Sequence, residues 1–177
     1  MSNSLIANNI DTGGTGAVTD VRQAASCSVT IEDGLIINCT VATNEARFTA
    51  GVYLGSKGYA TNVVVAGCMN KCTYPSLEEP AYTDVGFKGA LAHASHCASD
   101  GGEALTDNCI AGTAAEFFRS METRDYRPAL TSPLINKGVI YEGIASFDLL
   151  GKKRVQGRAP DIGAYENAPR RLTIHIR

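Results

Sequence analysis

The sequence predicts an all-β fold, a short solenoid of stacked coils that ends in an irregular capping region. Three observations lead to this prediction. Asn and Gly markers repeat along the first part of the chain, the segments between them are short and rich in Val, Ile, Thr and Tyr, and no window carries a helical apolar stripe. With 177 residues, the chain fits a single domain.

The repeat is defined by the spacing of its markers. Asn, Asn and Gly lie six and then seven residues apart in two copies, and a third, decayed copy opens with Asn. The markers are Asn3, Asn9 and Gly16, then Asn38, Asn44 and Gly51, then Asn62. The copies are offset by 35 and then 24 residues. We assign the difference to a loop over 19–27, because repeat arrays tolerate insertions in loops.

Stacked coils place equivalent residues one strand spacing apart, about 4.8 Å. We therefore expect Ile6, Val41 and Val65 to form one column in the interior. The asparagines that open the three copies are expected at corners of the coils. There a side-chain amide satisfies turn backbone groups and donates to the amide of the next coil.

The remaining elements follow from the same pattern. Strands are predicted over 28–31, 34–37, 51–54 and 62–65, a helical turn over 113–121, and an edge strand in the tail 172–177. From 71 to 102 the pattern breaks down into Pro- and Gly-marked loops with one irregular coil. A β-sandwich also joins many short strands by turns, but it does not explain the repeated spacing.

Charge and hydropathy exclude two classes of partner. The formal net charge is -2, charged residues make up 19% of the chain, and the basic side chains form no long run, so no nucleic-acid partner is predicted. The longest apolar stretches are far shorter than the roughly 18–20 residues that cross a bilayer, so no membrane span is predicted. The first residues carry no export signal.

Four motifs follow one another near the end of the chain: D-Y-R at 125–127, S-P-L-I-N-K-G at 132–138, D-x-x-G-x-x-R at 148–154 and D-I-G-A-Y-E at 161–166. In this order they resemble the C-terminal ending of bacterial right-handed parallel β-helix proteins, the pectate-lyase-like solenoids of surface and secreted proteins. The units N-C-T-V-A-T-N and A-G-V-Y-L at 38–44 and 50–54 are similar to the coil consensus of that family.

The resemblance covers about residues 1–70 and 117–166. It implies a right-handed parallel β-helix with coils and irregular loops over 1–116 and a capping segment of the same domain over 117–177. It also implies an extracellular or cell-surface location. Two departures are that Asn136 stands where Asp is frequent, and that the coils are few, which implies that Met1 begins inside a larger solenoid.

The charged residues of these motifs are interpreted as a structural cap. A solenoid exposes apolar side chains and strand edges at its last coil, which need a polar cover. Asp148 and Arg154 are expected to pair with each other or to bind turn backbone. The cap residues are Asp148, Gly151, Arg154, Asp161 and Glu166.

Six cysteines, at 27, 39, 68, 72, 97 and 109, are interpreted as buried thiols ahead of a full disulfide set. The best single disulfide candidate is Cys68 with Cys72. A zinc site would gather both of these residues with His93, His96 and Cys97, but its halves are far apart in the chain. No metal and no cofactor is predicted.

The candidates for chemistry are carboxylates and tyrosines. A glycosidase needs two carboxylates about 5–10 Å apart, and the available acids are Glu78, Glu79, Asp84, Asp100, Glu103 and Asp107. No catalytic residue is assigned, since no nucleophile elbow, phosphate loop, dinucleotide fingerprint or zinc-protease motif appears. Ligand-binding candidates, for stacking on sugar rings, are Tyr53, Tyr59, Tyr74 and Tyr82.

Two functional hypotheses follow. The first is a non-catalytic β-helix fragment of a surface or secreted protein, which acts as a scaffold, an adhesin or a carbohydrate-contacting surface. The alternative is the terminal part of a polysaccharide lyase or glycoside hydrolase. Because the first coil exposes residues 4–7, we also expect a second copy, or N-terminal coils missing from this chain, to cover it, and polysaccharide is the other expected partner.

Overall fold

The computed structural model describes residues 1–10, 27–46, 49–70, 86–101, 105–106 and 108–167. Within them the chain is mostly β with parallel sheets. The strands are β1 (Leu5–Ala7), β2 (Cys27–Ile37), β3 (Thr40–Ala42), β4 (Glu45–Ala46), β5 (Thr49–Thr61), β6 (Val64–Ala66), β7 (Met69–Asn70), β8 (Phe87–Gly89), β9 (Ala94–Ser95), β10 (Ala98–Ser99), β11 (Ile110–Ala111), β12 (Phe118–Ser120) and β13 (Asp125–Pro128). A 3₁₀ turn spans Leu91–His93 and helix α1 spans Ala114–Phe117.

Three parallel sheets receive the strands in a recurring order. Sheet 1 has the order β1-β3-β6-β10-β11, sheet 2 has the order β2-β5-β8 with β9 also paired to β5, and sheet 3 pairs β4 with β7. Along the chain, β2, β3 and β4 enter sheets 2, 1 and 3, and β5, β6 and β7 repeat that order. Each strand therefore pairs with its equivalent from the following cycle. An antiparallel hairpin, β12–β13, lies outside these sheets.

The register confirms the predicted interior column. Ile6 pairs with Val41, and Val41 pairs with Val65. Both valines are fully buried in the main core, and Ile6 packs against it. The offsets of 35 and 24 residues are thus the true offsets between neighbouring strands.

Sheet 1 continues beyond the last copy that the repeat search found. Val64 pairs with Ala98, and Ala98 pairs with Ile110, so two more positions extend the ladder after Asn62. They were missed because the third marker is followed by substituted positions, with His96 standing where the earlier copies have Asn. The irregular coil expected between 71 and 102 therefore contributes a regular strand to sheet 1.

The corner residues share a left-handed backbone conformation. The residues two positions before the paired strand residues all have positive φ: Asn3 at 50°, Asn38 at 50°, Asn62 at 54°, His96 at 50° and Asn108 at 67°. Asn tolerates this region better than other residues with a side chain, which explains why it marks the repeat. The predicted amide ladder is present between Asn62 and Asn38, whose side chains are joined by a hydrogen bond of 3.0 Å.

Several element boundaries differ from the predicted ones. The strands predicted over 28–31 and 34–37 are a single strand, β2, with an irregular register between Ile31 and Asp33. The helical turn predicted over 113–121 is shorter, because α1 ends at Phe117 and the chain continues as β12. A capping box between Thr113 and Glu116 starts this turn. The predicted edge strand at 172–177 lies outside the described residues.

The C-terminal segment forms a second core against the opposite face of sheet 1. Ala42, Val64 and Ala66 on that face pack against side chains that follow α1, namely Phe117, Phe118, Tyr126, Leu134, Ile162, Ala164 and Tyr165. Since Val41 and Val65 lie in the main core, β3 and β6 are buried on both faces. The described helices include none with the length and apolarity that a bilayer crossing requires.

Candidate functional site

An exposed column of side chains runs across sheet 2 on the face away from the core. Leu35 pairs with Tyr59, and His93 occupies the next position, because the following residues Ala60 and Ala94 are paired. The rings of Tyr59 and His93 are stacked, with centroids 4.3 Å apart and an angle of 16° between planes. Tyr59 is 49% exposed and Leu35 is 43% exposed. The three side chains form an open apolar strip with polar edges.

The histidine is held in place by the backbone of the neighbouring strand. Its Nδ1 lies 2.9 Å from the carbonyl oxygen of Gly58. Gly58 is required there, since a Cβ would lie 1.9 Å from the carbonyl oxygen of Ile31. The stack is therefore built on fixed backbone. A sugar ring that lay on the free face of Tyr59 would meet a prepared surface.

Charged residues border this column. Asp33 pairs in register with Lys57, and their charged groups are 3.9 Å apart with both side chains about three-quarters exposed. Glu32 precedes Asp33 at the irregular position of β2 and is exposed. Tyr53 lies further along β5, half-buried between Thr30 and Lys88.

The structure brings two of the four predicted ligand-binding tyrosines onto one sheet. Tyr53 and Tyr59 both lie on β5, whereas Tyr74 and Tyr82 lie outside the described residues. Sequence reasoning missed Leu35 and His93. A usable signal for His93 was its distance of 34 residues from Tyr59, which equals the offset between the paired residues Ala60 and Ala94.

The predicted cap residues form a buried polar network around Arg154. This side chain is 1% exposed; its Nη1 donates to the carbonyl oxygen of Gly163 at 2.9 Å and to Oε1 of Glu166 at 3.0 Å. Its Nη2 donates to the carbonyl oxygen of Ala164 and to the side-chain oxygen of Asn3. Arg154 thus pairs with Glu166, and not with Asp148.

Asp148 binds turn backbone, the other interaction considered for it. Its carboxylate accepts from the N–H groups of Leu150, Lys152 and Glu166 at 2.7–2.9 Å. Asp161 likewise accepts from the N–H groups of Asn136 and Asn167. Gly151 is exposed and adopts φ of +76° within the turn that Asp148 closes.

Burial raises the pKa values of the two acids that face Arg154. The pKa of Glu166 rises to about 8 through burial and the nearby charge of Asp161, against the opposing effect of Arg154. The pKa of Asp161 is also raised by burial. One guanidinium does not balance the several carboxylates gathered here, which is why the opposing effect does not prevail.

This network contacts the corners of successive strands. The hydroxyl of Tyr141 accepts from Asn38 at 2.9 Å, and the backbone of Val139 both accepts from and donates to the side chain of Asn62. The sequence assigned the motifs to the last coil. The hydrogen bonds run instead along the first three rungs of sheet 1, because those corner amides have bonding capacity left toward the outside.

The described cysteines are free thiols. Cys39 and Cys97 are buried in the main core, Cys68 is buried beside them, and Cys109 is half-buried. Burial raises the pKa values of the first three. Cys72 lies outside the described residues, so the disulfide proposed with Cys68 stays a prediction. Among the residues with described positions, no group of three or more ligands that would hold a metal ion occurs.

The predicted acidic candidates are mostly outside the described residues. Of the six, the structure places Asp100, whose Oδ2 accepts from the N–H of Gly67 at 2.7 Å. This contact joins the ends of two neighbouring strands of sheet 1, a structural position.

The chain was compared with protein-family models, curated proteins and solved structures, and none of the three comparisons finds a match.

Proposed function

We propose that the three parallel sheets form a short right-handed parallel β-helix, and that the chain acts without catalysis as a carbohydrate-contacting scaffold. The recurring order of sheets 2, 1 and 3 supports this architecture, as does the unbroken register of Ile6, Val41 and Val65. The resemblance of the C-terminal motifs adds the proposal of a cell-surface or secreted location.

One observation carries the functional part, the exposed stack of Tyr59 on His93 beside Leu35. A sugar ring offers an apolar face of C–H groups and a rim of hydroxyls. An aromatic ring matches that face, and the exposed Asp33 and Lys57 nearby are able to meet the rim. Parallel strands repeat such contacts at about 4.8 Å, which gives a flat contact surface.

Affinity electrophoresis through native gels that contain polygalacturonate, xylan or no polysaccharide tests this proposal. We expect retardation in at least one polysaccharide gel. Tyr59→Ala is expected to weaken it about 3- to 10-fold, as for the loss of one aromatic contact. Phe147→Ala is the matched control, since it removes an exposed aromatic ring from the C-terminal segment. Equal retardation of both variants, or none of the wild type, would contradict the proposal.

A polysaccharide lyase or glycoside hydrolase is the second candidate, and one observation favours it. Glu32, Asp33 and Lys57 place two carboxylates and an amine on the exposed side of sheet 2. We rank it second because Asp33 and Lys57 lie open to water, where a charge pair contributes little. Release of unsaturated uronate from polygalacturonate, abolished by Lys57→Met, would favour the enzyme.

We also propose that the outer edge of β1 is covered by a partner, either a second copy or further coils. β1 is the terminal strand of sheet 1, and Leu5 and Ile10 are exposed beside it. Unpaired strand edges favour addition of another strand. Sedimentation of the purified chain is expected to show self-association, and Leu5→Lys is expected to reduce it. A monomer at all concentrations would contradict association through a second copy.

A further inference from the structure

Two cysteines meet on the last two strands of sheet 1. Ala98 of β10 pairs with Ile110 of β11, and Cys97 and Cys109 each precede these residues by one position. Neighbouring parallel strands are about 4.8 Å apart. The Cα atoms of a disulfide are separated by roughly 4.4–6.8 Å, so the backbone spacing suits a bond between these two residues.

Both side chains point toward the same core. Cys97 is fully buried in the main core, and Cys109 packs against it. The N–H of Cys97 donates to Sγ of Cys109 at 3.4 Å, and the two thiols are joined by a hydrogen bond. Their sulfur atoms are also close to backbone carbonyls, with Cys97 Sγ 3.3 Å from the oxygen of Ser95 and Cys109 Sγ 3.6 Å from that of Ala94.

The two thiols differ in exposure and in acidity. Cys109 is half-buried, and the hydrogen bond from Cys97 lowers its pKa to about 6, with the backbone N–H of Cys97 acting in the same direction. Cys97 is fully buried, and burial raises its pKa well above the ordinary value. A thiolate is the reactive form of cysteine, so Cys109 is the nucleophile and Cys97 the second thiol.

We propose that Cys97 and Cys109 are a redox-active dithiol that a peroxide converts into a disulfide between β10 and β11. The thiolate of Cys109 attacks one peroxide oxygen, the O–O bond breaks, and with hydrogen peroxide the leaving oxygen departs as water after taking up a proton. The sulfur of Cys97 then attacks the sulfenic acid of Cys109, the S–S bond forms, the S–O bond breaks, and a second water leaves. Two thiols lose two electrons, and the peroxide gains them.

The other described cysteines are placed less favourably for this reaction. Cys39 occupies the equivalent position of β3's coil, but Val63 lies between it and Cys97, two strand spacings or about 9.6 Å away. That separation exceeds the range for a disulfide. Cys39 is therefore the matched control, a buried thiol of the same column with a neighbour that does not react.

The sequence allows a direct mass-spectrometric test. Trypsin cleaves after Lys88 and Arg119, and the peptide between them holds Cys97 and Cys109 and no other cysteine. The folded protein is treated with hydrogen peroxide, alkylated in denaturant and digested. We expect this peptide to lose two hydrogens and to take up no alkylating agent, while the Cys39 peptide remains alkylated. Reduction before alkylation is expected to restore two labels.

Variants and a thermal measurement complete the test. Cys109→Ser is expected to leave Cys97 reduced, and Cys39→Ser to leave the disulfide unchanged. The closed loop of about a dozen residues is expected to raise the unfolding midpoint by on the order of 5–10 °C. Two alkylated cysteines after oxidation of the folded wild type, a disulfide to another cysteine, or equal disulfide yield in urea would overturn the proposal.

Discussion

The side-chain amide of Asn62 donates to the side-chain oxygen of Asn38, one strand away, at 3.0 Å within the protein interior. The same amide nitrogen donates to the carbonyl of Val139, and its oxygen accepts from the Val139 N–H. One corner residue thus joins its own strand, the preceding strand and the C-terminal segment. This relationship makes the corner ladder a structural element of both cores.

Asn62→Ala is expected to destabilise the fold by about 2–4 kcal/mol, because it leaves buried groups unpaired and removes a residue suited to positive φ. Asn108→Ala is the control, since Asn108 has the same backbone conformation but is exposed. It is expected to cost about 1 kcal/mol. Urea denaturation of both variants measures the difference, and equal losses would contradict a role for the ladder hydrogen bonds.

Gly163→Ala is expected to cost about 2–4 kcal/mol, the sum of backbone strain and overpacking. Gly163 has φ of +110°, and an added Cβ would lie 2.9 Å from Thr40 Oγ1 and 3.0 Å from Val64 Cγ1. Gly143 also has positive φ, but nothing lies within 4 Å of such a Cβ. Gly143→Ala is therefore expected to cost only the strain. Thermal unfolding of the two variants compares them, and a smaller loss for Gly163→Ala would show that the close approach is wrong.

Leu134→Ala is expected to destabilise the whole chain by about 3 kcal/mol in a single transition. Leu134 is fully buried in the second core, which shares β3 and β6 with the main core. The prediction that 117–177 belongs to the same domain as 1–116 requires the two cores to unfold together. Leu130→Ala, at an exposed position, is expected to change little. Two separate transitions, measured by far-ultraviolet and tyrosine signals, would contradict a single domain.

Stability is expected to fall as pH rises from about 5 to 8. The pKa of Glu166 is about 8 in the folded protein and 4.5 ordinarily, so the folded state binds this proton more tightly and loses that advantage as the pH rises. The expected loss is on the order of 2–4 kcal/mol. Glu166→Gln is expected to flatten the dependence, whereas Glu142→Gln, an exposed change, is expected to preserve it. Denaturation at several pH values decides, and a rise in wild-type stability over this range would contradict the assignment.

The sequence was informative where one residue type reported one conformation. Asn at positive φ is such a case, and Asn3, Asn38 and Asn62 located the corners and the strand offsets. The signal ended where His96 adopts the same conformation, because its identity does not reveal the turn. The repeat was therefore traced through three copies, while the sheet continues through two more positions.

The second core was missed for a different reason. The predicted column used every other residue of each strand and assumed that the alternate residues faced solvent. The run Val63, Val64, Val65 and Ala66 is apolar throughout, which is typical of a strand covered on both faces. That run signalled a covering layer. The partners in the layer come from residues more than 50 positions later, and no local pattern identifies them.

The contacts of the C-terminal segment limit how the chain is able to grow. Arg154 is bonded to Asn3, Tyr141 to Asn38 and Val139 to Asn62, so one segment is matched to three consecutive corners. Duplicating a coil between Asn3 and Asn62 would shift these corners by about 4.8 Å and break at least one contact. Repeat arrays commonly change length during evolution, but here the segment acts as a gauge that fixes the number of turns.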